Sequence, residues 1–525
     1  MNARPTGLAP GRTTALGLIA AVTAGAALLA GCGSGSNGND GSGQARETVR
    51  MAIGSNPSLD PAKAANQADA IALSGLYDTL VRLDAKGQVV AGLASSWKAT
   101  PTSVAFVLRD DVTCSDGTKL TPSAVAASLT RLVDPATAAP FVGASFGPNK
   151  VTATGDDGAH RVTVTTSGPW SQLLPGLAMP WTGIVCPAGL KDPKALATGS
   201  FGTGPYVLES AAPGRRFTLR HRDKYTWGPQ LGAGESGASP KTLQLNVVAN
   251  ESTAVNMLVS DKLDVALLGG PDLKRVDGDG GFSVQQRDGG TVWLAFNERG
   301  TSMKDEALRR GVAQAIDRAA FADAATFGRG KVIPSVVGPT IQCFDATAGA
   351  EVPKPDAAAA RAALAKAGTV TIIGTTQLGG GAGQEYVQAA LRDVGVDAKL
   401  RNTDTATWSQ TLAGGKGDWE LSVVPALNPA GSIIIPISQT TGEGPPKGTN
   451  YGAAQNPEAG AALGKAVTQV GQESCAAWGQ VQHALNARVD VLPLSTLPLS
   501  IVARKGVSVL APQGGLPDLG SIRVG

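Results

Sequence analysis

The pentapeptide Gly143-Ala144-Ser145-Phe146-Gly147 has the G-x-S-x-G spacing that, on a sharp strand-to-helix turn, presents a serine hydroxyl for nucleophilic attack. Such a nucleophile needs a buried strand before it, a helix after it, and a histidine base backed by a carboxylate. Here a segment from Pro135 to Pro140 precedes the serine and Pro148-Asn149 follows, so neither flank suits an elbow. Of the three histidines, all downstream, His221 falls in an alternating strand pattern and His483 on a charged helical face, leaving His160. A secreted serine hydrolase is therefore only the alternative reading, and no enzymatic activity is expected. Metal chemistry has as little to work with, since there is no Cys-x-x-Cys and no histidine cluster. The glycines between Gly379 and Gly383 lack both the Lys-Ser/Thr of a P-loop and G-x-G-x-x-G spacing, so they read as a loop. No metal and no cofactor is expected.

Composition points to a binding body. A chain of 525 residues has length for two to four lobes. With 45 Lys+Arg against 42 Asp+Glu and no long basic run, it carries no electrostatic footprint for nucleic acid. Charged residues are only 17% and glycines number 68, which describes a loop-rich, weakly charged chain. After residue 31 no apolar stretch is long enough to span a bilayer.

Arg4 and Arg12 precede an uncharged run over residues 13–31, the pattern of an export signal. Its end, Leu29-Ala30-Gly31-Cys32, resembles the lipobox of bacterial lipoproteins. The expectation is a signal peptide over residues 1–31, acylation of Cys32, and a tether over 32–46 whose Gly/Ser/Asn-rich residues 33–44 have a reach of roughly 17 to 21 Å. That would place the body on the extracytoplasmic face of a membrane, periplasmic or at the cell surface, in a space permissive for disulfides. Loss of residues 1–31 would bring the net charge from +3 to about +1. Four cysteines would remain, with three possible connectivities.

The elements that would position a site alternate. Strand patterns occur at 48–54, 103–109, 161–166, 216–222, 243–249, 265–268, 291–297, 370–373 and 397–400. Helical stretches are expected over 66–83, 122–132, 253–260, 304–327, 356–367, 385–394, 457–470 and 473–488. This is an α/β chain without a solenoid repeat.

A series of short motifs then follows in order: Ser58-Leu59-Asp60-Pro61, Gly75-Leu76-Tyr77-Asp78-Thr79-Leu80, Gly202-Thr203-Gly204-Pro205-Tyr206, Lys224-Tyr225-Thr226-Trp227-Gly228, Phe296-Asn297 and Leu308-Arg309-Arg310-Gly311. In order and spacing they resemble the solute-binding proteins of ABC importers, specifically the peptide-binding class called extracellular family 5. The resemblance implies an α/β, two-lobed periplasmic-binding-protein-like (Venus flytrap) fold with an extra domain inserted in the first lobe. On that plan lobe I comprises 47–81, 201–290 and 496–525, the inserted domain 82–200, and lobe II 291–495, with hinges near 289–291 and 494–498. Cys114–Cys186 and Cys343–Cys475 are then the expected disulfides, because each stays inside one domain. A monomer is expected, capturing a peptide or peptide-sized organic ligand by lobe closure and passing it to ABC permease subunits; a ligand sensor with the same fold differs only in its partner.

The resemblance also nominates contacts. Trp408 and Trp293 correspond to cleft aromatics, and Asn66 and Gln67 to the first-lobe side of the pocket. Gly269 and Gly270 end a strand where a ligand could approach the backbone. Trp97, Trp227 and Trp419 fall in scaffold motifs. Where peptide binders carry a Trp and an ammonium-pairing Asp, this chain reads Val423-Val424-Pro425-Ala426-Leu427-Asn428. A buried ammonium without a counter-charge is strongly unfavourable, so Asp404 or Glu420 would have to substitute, or the ligand head is neutral and Asn428 bonds it. Asn428 is equally well a turn residue.

Overall fold

A computed structural model describes residues 46–525 apart from 85, 229–236, 300, 376–378, 416–417, 429–430, 470 and 513. Cys32, the expected signal peptide and nearly all of the tether lie outside the described residues. Ten strands form one mixed sheet: β1 (Thr48–Ile53), β2 (Tyr206–Ala212), β3 (Arg216–His221), β4 (Thr242–Val247), β5 (Val265–Leu268), β6 (Phe282–Phe296), β7 (Thr369–Thr375), β8 (Asp397–Thr403), β9 (Leu421–Leu427) and β10 (Val491–Arg504). Across the sheet their order is β8-β7-β9-β6-β10-β5-β1-β4-β3-β2. One half gathers β1 to β5 and the other β7 to β9. The two long strands β6 and β10 run through both halves: early in β6, Ser283 opposes Ala503 beside β5, and late in β6, Leu294 opposes Val423 of β9.

Helices α1 (Gln67–Leu76), α2 (Pro122–Val133), α3 (Glu251–Val259), α4 (Glu306–Ala315), α5 (Arg318–Thr326), α6 (Ala382–Asp393), α7 (Thr405–Ala413) and α8 (Cys475–Ala487) are the ones that bear on the site. The expected helix over 66–83 stops at Leu76. Tyr77 is already extended, and Asp78 is drawn into a buried cluster that accepts from Thr203 Oγ1 (3.0 Å), Tyr225 Oη (2.9 Å) and Trp227 Nε1 (3.0 Å). Three of the sequence motifs thus meet on one carboxylate. The expected helix over 304–327 is two, because Ile316 leaves the helical region and Asp317 restarts it by accepting from Ala319 N and Ala320 N. The strand expected at 291–297 is the end of the fifteen-residue β6.

Between α1 and β2 the chain builds a separate four-stranded antiparallel sheet, in the order 94–100, 103–108, 161–166, 151–156. Val104, Phe106, Val162 and Val164, on one face of it, are fully buried. Gly155 lets α2 lie directly on this sheet, since a Cβ there would stand 2.3 Å from the Pro122 carbonyl carbon. Disulfides join Cys114 to Cys186 and Cys343 to Cys475.

Candidate functional site

The crossing of β6 and β10 is the place where the two halves of the sheet share backbone. The β6 register slips between Asp288 and Thr291, leaving Gly289 and Gly290 in an irregular stretch. Gly290 is required by close approach, because a Cβ would fall 2.1 Å from the Ala426 carbonyl oxygen. Two cavities adjoin this region, and a third lies apart from both strands.

The widest, about 520 Å³, lies on the face carrying α3 and α5. Gln67, Gly269 and Gly270 line it from one half, Phe327 and Leu427 from the other, and Leu497 from β10. The structure therefore brings together three of the seven residues nominated as ligand contacts. The backbone groups of the two glycines are already used. Gly269 N and Gly270 N donate to the two carboxylate oxygens of Glu251 at 2.8 and 2.7 Å. The Arg329 guanidinium donates to the Gly269 carbonyl, to the Gly270 carbonyl at 3.3 Å and to Ser500 Oγ at 3.4 Å. Burial pulls Arg329 below the usual guanidinium range, and Glu251 and Asp277 offset part of that.

Asn66 is exposed, and its side-chain oxygen caps α1 by accepting from Ala68 N (2.9 Å) and Asp69 N (3.2 Å). Trp408 is buried on α7, where its indole N–H donates to Ser422 Oγ of β9 at 3.0 Å. Trp293 is fully buried on β6 and stacks on Tyr451 with ring centroids 6.3 Å apart. Neither tryptophan lines any of the described cavities. Asn428 is buried, and both ends of its amide engage the Ser432 backbone: Nδ2 donates to the carbonyl (2.8 Å) and Oδ1 accepts from the N–H (3.0 Å). That is the work of a turn residue.

Asn428 and Ala426 also face a narrow cavity of about 10 Å³ shared with Asp288. Sequence reasoning passed over this aspartate, whose only signal was its place before the Gly289-Gly290 pair. Burial pushes its carboxyl up from the ordinary value, while Lys331 and the Thr496 hydroxyl pull it down. The space beside it holds roughly one water, so in this arrangement it cannot receive a ligand ammonium. Asp404 and Glu420 are spent as well. Asp404 caps α7 by accepting from Thr407 N (3.0 Å) and Thr407 Oγ1 (2.6 Å), and Glu420 accepts from Thr371 N (2.7 Å).

The third cavity, about 300 Å³, lies between the inserted domain and the loops of the other half. Val89, Trp170, Leu173 and Met179 line it from the insertion, and Cys343 and Ile433 from across. The Ser171 N–H reaches over to the Val467 carbonyl at 2.8 Å, so backbone hydrogen bonding closes one wall.

Ser145 is fully buried in a five-residue helix (Val142–Phe146); its hydroxyl donates to the Gly176 carbonyl and accepts from Trp181 Nε1, both at 2.8 Å. Those bonds describe a packing serine, with no approach for a substrate. His483 meets Asp345 at 3.4 Å and Glu351 at 3.0 Å, on the surface of α8.

Residues 88–434 match the family described as bacterial extracellular solute-binding proteins, family 5 Middle. A substrate-binding protein from Microbacterium hydrocarbonoxydans, solved with 4-hydroxybenzoate hydrazide, is 35% identical with a TM-score of 0.79, over 91% of this chain and all of that one. An ABC transporter-associated periplasmic binding protein of Helicobacter pylori, solved with the peptide STSA, has the same fold at 18% identity and a TM-score of 0.74, over 91% and 98% of the two chains. Among curated proteins, the probable D,D-dipeptide-binding periplasmic protein of Escherichia coli is 26% identical over 55% of this chain and 57% of its own length. The first such matches span between 18% and 66% of the curated relatives.

Proposed function

Because the chain belongs to the family 5 bacterial extracellular solute-binding proteins, we propose that it captures a peptide or peptide-sized organic solute by lobe closure and hands it to an ABC import permease. The observation that carries this reading is the crossing of β6 and β10: two halves of one sheet joined by two strands, with cavities of about 520 and 300 Å³ walled by segments far apart in sequence. A solute touching both walls favours the closed arrangement by its differential affinity for it. The lobe borders at 81/82, 200/201, 290/291 and 495/496, and hinges at 289–291 and 494–498, are part of the proposal; the slipped register at Asp288 and Thr291 supports the first hinge. So are acylation of Cys32, extracytoplasmic anchoring and a monomeric state.

In this reading Gln67, Gly269 and Gly270 form the wall of the wider cleft, while Asn66, Trp293, Trp408 and Asn428 hold the elements around it. The test is mass spectrometry of whatever co-purifies with the protein, followed by tryptophan-fluorescence titration and small-angle scattering with that solute. Saturable binding with a decrease in radius of gyration is expected. Purified protein that neither carries nor binds any solute, or turnover of ester substrates abolished by Ser145→Ala, refutes the reading.

A further inference from the structure

The chain leaves α5 through a left-handed turn: Phe327 has φ 56° and ψ 41°, and Gly328 follows at φ 75°. A helix that ends in this way usually carries glycine or asparagine there, because a Cβ crowds the backbone in the left-handed region. For a bulky aromatic residue the conformation is a true outlier, and such strain collects at ligand clamps. Among the described non-glycine residues with positive φ, Phe327 is the one that lines the wider cleft of about 520 Å³. Packing does not account for it. Phe321 on the same helix is fully buried in the core of its half, with its ring edge-on to Tyr386. Phe327 is half-buried, and among the described residues it enters none of the buried apolar cores and pairs with no other aromatic ring.

The polar side chains of the same wall have work inside the protein. Thr326 Oγ1 donates to the Ala322 carbonyl and accepts from Gly330 N, both at 2.6 Å. Asn250 is exposed, and its side-chain oxygen caps α3 by accepting from Thr253 N at 3.0 Å. Glu251, the one ionisable side chain in the described lining, gives its two oxygens to Gly269 N and Gly270 N. Gln67, half-buried, faces the cleft from the other half. We infer that the Phe327 ring is the surface on which the wider cleft seats its solute, and that the solute presents a flat unsaturated ring to it. This rests on the solute-binding reading above and narrows its substrate class. Stacked aromatic faces attract beyond the area they bury, which a puckered saturated ring of similar size does not match. Phe327 belongs to the half that carries α5, and Gln67, Gly269 and Gly270 to the other, so a ring held between them favours closure.

Two uncharged probes of matched size test it on the whole purified protein: N-acetyl-phenylalanine amide, which carries a flat ring, and N-acetyl-cyclohexylalanine amide, which carries a puckered one. The aromatic amide should bind at least about threefold more tightly. Phe327→Leu keeps apolar bulk without a flat face, and should bring the ratio of the two affinities to about one. Phe327→Tyr keeps the face and should hold the ratio. Phe327→Gly should weaken the aromatic amide about tenfold while Tm stays within a few degrees of the wild type or rises, because glycine relieves the left-handed turn as the ring is lost. A purely structural ring predicts the reverse, a lower Tm with unchanged affinity in the folded fraction. Equal affinities of the two amides for the wild type, an unchanged ratio in Phe327→Leu, or a Phe327→Gly variant that loses Tm by ten degrees or more overturns the inference. If the co-purifying solute binds the wild type and Phe327→Leu alike and neither amide competes with it, the inference fails while the solute-binding reading survives. If no solute binds at all, both fail.

Discussion

On the proposed hinge motion, Arg329 is the side chain whose removal should most directly loosen closure. It follows α5, on the β7–β9 half, and its guanidinium reaches the carbonyls that end β5 on the other half. Two of its three contacts, at 3.3 and 3.4 Å, are long, so the expected effect is that of a single charge-assisted hydrogen bond. A hydrogen bond from a charged donor contributes about 1.5 to 3 kcal/mol. Half-burial of Arg329 and its desolvation keep the expected effect near the lower end of that range. Arg329→Ala should therefore shift the closed-to-open ratio by about tenfold, since 1.4 kcal/mol is a factor of ten. Because apparent affinity scales with the binding-competent fraction, Kd for the co-purifying solute should rise by up to the same factor. Arg329→Lys keeps the charge but loses the planar fork, and should fall between. Fluorescence titration gives Kd, and small-angle scattering of the solute-free protein gives the change in dimensions. Wild-type Kd together with wild-type scattering in Arg329→Ala would refute the idea that this contact bridges moving parts, and would make Arg329 an ordinary loop anchor.

Other perturbations have equally definite expectations. Glu298 is 6% exposed beside Arg309 and Asp490, and burial pushes its carboxyl up to about 7 despite Arg309. The native state then keeps a proton that the unfolded chain releases, so stability should fall as pH rises from about 4.5 to 7, by at most about 1.4 kcal/mol per unit, and level off above. Glu298→Gln should flatten that slope in urea melts at pH 5, 6, 7 and 8, leaving the smaller part due to Asp490, which burial also raises. Serine at both Cys343 and Cys475 opens a bridge spanning 132 residues and should cost about 3 to 5 kcal/mol in denaturant unfolding. Asn66→Ala should lose about 1 kcal/mol of stability through the α1 cap while leaving solute affinity within twofold; a tenfold loss of affinity would return Asn66 to the binding surface.

The scaffold was far more legible in the sequence than the site, and particular residues show why. Motifs such as Gly75-Leu76-Tyr77-Asp78 and Lys224-Tyr225-Thr226-Trp227 stand out because each is a dense run of residue types whose partners are fixed: Asp78 alone takes three donors from two other motifs. Arg309 is similar, fully buried with its guanidinium donating to the carbonyls of Met303, Arg488 and Val489. Residues held by many internal bonds have recognisable patterns and little freedom to contact a ligand. The same logic explains the tryptophans. Trp408 looked like a cleft aromatic, yet the Ser422 hydroxyl on β9 claims its N–H. That contact joins residues on different elements, and no local spacing announces it.

Binding groups carry the opposite signature, because a side chain prepared for a solute is one that the rest of the protein leaves unsatisfied. Trp170 and Ser171 sit in an unremarkable Ser-Gly-Pro-Trp-Ser stretch, with nothing in their spacing to set them apart from other loop residues. Their polar atoms are left buried without a partner only in the folded chain, which no local pattern announces. The missing ammonium-pairing carboxylate in the β9 stretch was visible in sequence. The loss of one charge at one position excludes little, since Asp288, Asp404 or Glu420 could each have replaced it. Excluding all of them required knowing that the first faces space for one water and that the other two are bound to backbone or hydroxyl donors. Whether a charged head group would find a counter-ion is thus a property of the assembled walls, and one residue's identity in the sequence does not decide it.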